Sequence, residues 1–368
     1  MLARRAAGLM LLISSLCLAW TPKEYALLSR QAAADVAADP LSPAAFKAWI
    51  ASIEPADPAS AEAFFMNVHV GPFAKGLSGL SYWAVEPDLV AATDAGRTVL
   101  IEPFGLPERA LHYLDLEQLH LRPERRLFSP TLAHKPTFAE VPRAVHDPRY
   151  ARAGMLPFRA EQCYQNLIDA LVEGRLQEPP QPPFHQHAAK WAGYLAHYLA
   201  DGWEPPHATV DYRFNWVFPG DAVAQAAVIE AFGVRLCDNP AEQPTGLRQQ
   251  YWQSLQAARQ ELRGRGGDRG GGLPIQSKDT WEASVEALRY SYDFLPHIGA
   301  AARAAYQPPA QTIDLATFYD HRDPKSGRTL LEARASLQAM AILQIRQQWQ
   351  RAWEDARNLR EALTRPNP

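Results

Sequence analysis

The chain has 368 residues, 47% of them hydrophobic and 21% charged, with 31 prolines and a formal net charge of −3. That balance excludes a disordered or collagen-like chain and a disulfide-stapled miniprotein, and it lacks the basic excess of a protein that grips a phosphate backbone regardless of sequence. Three cysteines and eleven histidines leave the chemistry to position rather than to number.

At the start of the chain, Arg4-Arg5 precede an apolar run from Ala6 to Ala19. The run is too short to span a bilayer and ends in Cys17-Leu18-Ala19, with small residues at the −3 and −1 positions. Residues 1–19 are therefore expected to be a secretory signal cleaved before Trp20, delivering a secreted or periplasmic protein in which residues 20–368 form a single all-α domain. Cys163 and Cys237 survive that cleavage, and are expected either to pair in an oxidising compartment or to remain buried thiols.

Apolar residues at three- and four-residue spacing predict helices near Pro22–Ala38, Pro43–Ile53, Ala59–Val68, Glu161–Val172, Ala188–Asp201, Ala222–Phe232, Thr245–Leu262 and Trp281–Tyr306. A long C-terminal helix follows, because Leu330, Ala333, Leu337, Ala341, Ile345, Trp349, Trp353, Ala356, Leu359 and Leu363 form one stripe. The short run Arg97–Glu102 reads as a lone strand. Residues 263–273 read as a flexible Gly-rich loop, and the Pro-rich stretch that holds His185 and His187 reads as turns before a helix. Gly-x-Ser-x-Gly, Cys-x-x-Cys, His-Glu-x-x-His and a phosphate-cradling Gly-Lys loop are all absent from the sequence.

The chemistry concentrates in Trp191–Thr209. His197 and Asp201 are four apart on an apolar helical background, so both side chains leave one face, where they can share a metal or pair with each other near the helix end. Gly202 and Pro205-Pro206 then stop the helix, and the chain can turn His207 back toward the same place.

His197, Asp201 and His207 resemble the metal helix of the zinc-dependent phospholipases C and single-strand-specific nucleases, with Glu204-Pro205-Pro206 where that family has a Gln-Pro-Leu-like turn. Tyr82–Asp88 is similar to the family segment that supplies a carboxylate, Leu111–Asp115 to the one that supplies a first histidine, and Leu156–Leu171 to the helix before the metal helix. The resemblance implies an all-α fold and a zinc cluster with Trp20, Asp88, His112, His197, Asp201 and His207 as ligands. Trp20 would bind through its freed amine and carbonyl, Asp201 would bridge two ions, and Asp88 would orient or deprotonate the attacking water.

It further implies hydrolysis of phosphoesters by metal-activated hydroxide, on a small phosphoester, a phospholipid or a single-stranded nucleic acid. Two departures stand against a full cluster. Tyr25 occupies the place of a family histidine on the first helix, and a neutral phenol is a poor zinc ligand. After His207 no histidine occurs before His297, and Asp221 with Gln225 is the nearest analogue by spacing. One zinc site is expected, with two further sites in doubt. The competing expectation is a catalytically degenerate relative that keeps one metal site or none and acts as a binding protein.

Overall fold

The computed structural model describes residues 22–54, 79–119, 138–176, 182–233, 236, 246–265, 275, 277 and 279–365. The expected signal segment, Trp20, the Ala59–Val68 helix and Cys237 lie outside these residues. In chain order the elements are α1 (Pro22–Ala38), α2 (Ala44–Ile53), α3 (Leu80–Trp83), α4 (Glu86–Ala92), α5 (Asp94–Thr98), β1 (Leu100–Ile101) and β2 (Leu106–Pro107). Next come α6 (Tyr150–Ala153), α7 (Leu156–Leu176), α8 (Pro182–Gly202), α9 (Ala222–Phe232), α10 (Gly246–Arg265), α11 (Thr280–Tyr292) and α12 (Leu295–Ala305). The chain closes with β3 (Tyr306–Gln307), β4 (Thr312–Ile313), α13 (Leu315–Asp320) and α14 (Leu330–Thr364). The fold is all-α: β1–β2 and β3–β4 are antiparallel pairs of two residues each.

Several boundaries differ from the sequence reading for local reasons. The predicted strand Arg97–Glu102 shrinks to Leu100–Ile101, because Arg97 and Thr98 complete α5, whose N-cap Thr93 accepts from the Gly96 amide. The predicted Trp281–Tyr306 helix is two helices. It breaks at Asp293-Phe294, and Pro296 sits in the first turn of α12, where its missing N–H costs nothing. Pro182 and Pro183 likewise open α8, so His185 and His187 lie within its first turns rather than in a preceding loop. Arg263 to Arg265 end α10 instead of starting a flexible loop, and Arg263 pairs with Asp35.

The core is one hydrophobic cluster that runs from Tyr25 to Ala356. Two parts of it position the site. First, α8 packs along α7 and touches α1, α3 and α14. Trp349 of α14 donates its indole N–H to the Ala192 carbonyl of α8 at 2.9 Å, and Trp203, just past α8, donates to Gln344 at 2.6 Å. Burying these indoles with their N–H groups satisfied stabilises the contact by area without leaving an orphaned donor. The α14 stripe is buried through Ala356, while Leu359 and Leu363 are exposed, so the last two turns extend past the core.

Second, the chain after β2 is laced to the turn that follows α8 and to the junction of α6 and α7. Leu114 N–H donates to the His207 carbonyl at 2.9 Å, Asp115 N–H to Ala153 at 2.7 Å, and Met155 N–H to Ala110 at 3.1 Å. Gly154 permits this crossing. Its φ is +88°, and a Cβ there would meet the Tyr113 carbonyl oxygen at 2.3 Å. Among the described residues no helix is long and apolar enough to cross a membrane.

Candidate metal centre

Asp88 comes from the first turn of α4, His112 from the segment after β2, and His197 from the C-terminal third of α8. One ligand atom from each lies within 4.8 Å of the other two, and among the described residues this is the one His/Cys/Asp/Glu group with that geometry. Asp201, one turn beyond His197, places Oδ2 at 3.2 Å from His112 Nδ1 and 3.3 Å from His197 Nε2. His207, in the 3-10 turn Pro205–Ala208 that Pro205-Pro206 forces after α8, brings Nε2 to 3.9 Å from Asp201 Oδ1. Five of the six ligands expected from the sequence therefore meet; the sixth, Trp20, is outside the described residues.

The imidazoles are oriented from outside the cluster. His197 Nδ1 donates to the Ala84 carbonyl at 2.8 Å, which turns Nε2 inward as the nitrogen that a cation could take in place of its proton. His207 Nδ1 donates to the His112 carbonyl at 2.5 Å, so its Nε2 carries a lone pair, and that atom is buried with no partner. His112 Nδ1 and His197 Nε2 stand 3.0 Å apart. Two ring nitrogens that close need a shared proton or a cation between them. A carboxylate, two inward nitrogens and a second carboxylate form a donor set suited to a divalent ion, so the residues present fit one.

Charge within the cluster is strongly perturbed. Burial alone would lower His197, but the carboxylates of Asp201 and Asp88 outweigh it and push the imidazole up to about 9. Burial alone would raise Asp201, yet the charges of His197 and His207, with hydrogen bonds from His112 and His197, hold it well below the usual carboxylate range. Burial lowers His207, which favours its neutral form. Asp88 is raised by desolvation despite the opposing imidazoles, and its side chain, 25% exposed, is the most accessible of the five that meet here among the described residues.

Tyr25 also reaches this centre. The phenol donates to Asp201 Oδ1, and its ring stacks on His197 with centroids 4.0 Å apart. Burial, with Asp201 second, pushes the phenol well above its ordinary value, so it is a proton donor and not a phenolate ligand. A sequence signal for this existed: Tyr25 sits with Leu28, Ala32 and Val36 on the buried face of α1, and a buried tyrosine hydroxyl needs a partner. Glu24 was not singled out from the sequence; it is buried and ion-paired with Arg334 of α14 at 2.6 Å.

Asp221 and Gln225 do not join the centre. Asp221 caps α9, accepting from the Val223 and Ala224 amides, and Gln225 donates to Asn215 and the Phe218 carbonyl. Glu204, standing where the resemblance has a glutamine, is buried, and desolvation raises it well above its ordinary value. Cys163 is a free thiol that burial pushes up to about 12, which makes it inert. No protein-family model matches the chain, and no curated protein or solved structure is significantly similar to it.

Proposed function

We propose that the protein is an exported, zinc-dependent hydrolase of phosphodiesters. The observation that carries this reading is the convergence of Asp88, His112 and His197, from three separate stretches of chain, with Asp201 and His207 against them. A purely structural ion pair needs two partners, whereas three imidazoles gathered around two carboxylates, two of them with Nε2 turned inward, suit a cation. Imidazole with carboxylate and no thiolate suits zinc among the divalent transition ions, and three protein ligands would leave a coordination position open. The expected leader at residues 1–19 supports export.

The bound ion would supply charge to a phosphoryl oxygen and a more acidic water. The chain's own residues do the rest. Ala84 and the His112 carbonyl hold the rings of His197 and His207 in one tautomer, which spares reorganisation during reaction. Asp201, kept ionised, balances the positive charge at the buried end. Asp88 stands at the solvent-facing edge, where one oxygen can ligate while the other accepts a proton from an attacking water. Its upward shift from the ordinary carboxylate value makes it a better base.

The purified protein should hydrolyse bis(p-nitrophenyl) phosphate when zinc is present and lose that activity on chelation, with single-stranded DNA and phosphatidylcholine vesicles as the arms that separate nuclease from lipase action. Turnover of none of the three, or turnover indifferent to chelation and to His197→Ala, contradicts the reading.

A further inference from the structure

We infer that the Tyr25 phenol limits this centre to one metal ion by holding the second oxygen of Asp201, an inference that rests on the metal reading above. The two oxygens of Asp201 face different ways. Oδ2 lies 3.2 Å from His112 Nδ1 and 3.3 Å from His197 Nε2. Oδ1 accepts from the Tyr25 hydroxyl and lies 3.9 Å from His207 Nε2, the buried nitrogen that has no partner. A second cation between Asp201 and His207 would need the oxygen lone pair that the phenol engages. It would also meet a proton there instead of a donor atom.

Tyr25 is not free to swing aside. Its side chain is 1% exposed, and its ring lies on His197 with an interplanar angle of 24°. The residue before it is anchored: Glu24 pairs with Arg334, which also donates to Tyr319 Oη at 2.7 Å and to the Phe232 carbonyl at 2.6 Å. The first turn of α1 is thereby fastened to α14, and the phenol arrives at Asp201 from a rigid support. Tyr25 is a positioning residue with two effects. It fixes Asp201 and His197 for the first ion, and it closes the Asp201–His207 side to a second.

Two variants separate these effects from mere packing. Tyr25→Phe keeps the stacked ring and removes only the hydroxyl, while Tyr25→His replaces the donor with a ligand nitrogen. The metal-stripped wild-type protein and both variants would be titrated with Zn2+ against a chromophoric chelator and weighed by native mass spectrometry, with circular dichroism reporting the fold. The wild type should take one equivalent; Tyr25→Phe should hold that ion about 10–100-fold more weakly and, with Oδ1 released, admit a second, weaker equivalent; Tyr25→His should take two tightly.

Two or more equivalents in the wild type would overturn the inference even if neither variant folds. So would unchanged affinity or a single equivalent in folded Tyr25→Phe, or a folded Tyr25→His that stays at one. A wild type that takes up no zinc overturns the metal reading beneath it, which is a different and distinguishable failure.

Discussion

Asp201 and Glu117 are both fully buried carboxylates beside the turn that ends α8, yet their surroundings differ in kind. Glu117 accepts from the Thr209 hydroxyl at 2.6 Å, the Val210 amide at 3.2 Å and the Tyr292 hydroxyl at 2.9 Å. Each of these partners is a fixed donor, so the group is closed and needs nothing else. Asp201 faces imidazoles whose tautomers are set from outside, and one of them, His207, keeps a buried nitrogen with no partner. A closed network stabilises a fold, whereas imidazoles gathered on a carboxylate with a buried nitrogen left unpartnered mark a place for a cation.

This contrast can be broken by experiment. The largest effect is expected from His197→Ala, which removes a donor at the centre and should weaken zinc binding by more than about 100-fold, beyond the range of an outer-shell change. Isothermal titration of the folded variant checks it, and retained affinity would place the ion elsewhere.

A change of pH comes next. His197 is raised to about 9, above the roughly 6.5 of an unfolded histidine. In the metal-free protein its contribution to stability is fully present below pH of about 6.5 and is lost as pH rises through about 9. Zinc must displace that proton, so apparent affinity should rise about tenfold per pH unit between pH of about 7 and 9, with one proton released. Calorimetry in buffers of different ionisation enthalpy measures the proton directly. A flat profile contradicts the assignment.

Gly193→Ala acts at one remove. A Cβ on Gly193 would meet Trp83 Cβ at 2.4 Å and the Ala84 amide nitrogen at 2.8 Å, so α3 must shift and carry the Ala84 carbonyl off His197. Stability should fall by about 1–3 kcal/mol and zinc affinity by about 10-fold, read by denaturant melts and metal titration on one preparation. Tyr292→Phe is the counterpart on the closed side. It removes one of the donors to Glu117, should cost about 1 kcal/mol and should leave zinc affinity per folded molecule unchanged.

The smallest effect is expected from Asp221→Ala, which deletes an N-cap worth about 1 kcal/mol and touches no ligand. A loss of zinc binding in that variant would restore Asp221 to the centre.

Periodicity in the sequence locates most of the helices, because a buried stripe such as Leu330 to Trp353 records directly which face meets the core. It fails where two helices share a phase. The stripe runs on across Asp293-Phe294, so the break before Pro296 was not legible. The pairing of His197 with Asp201 was legible, since helical geometry places residues four apart together. Their meeting with Asp88 and His112 depends on how α4 and the post-β2 segment cross α8, a tertiary fact that spacing does not encode; the family resemblance anticipated it. The resemblance also flagged Tyr25 as a missing ligand, but the hydrogen bond it makes instead becomes visible when α1 is seen against α8.

The central claim is that Asp88, His112 and His197 hold one zinc ion. X-ray absorption at the zinc edge of the loaded protein tests it most directly. A nitrogen and oxygen shell at ~2.0–2.1 Å with imidazole scattering and no sulfur is expected. A thiolate shell, or no retained zinc, would contradict it.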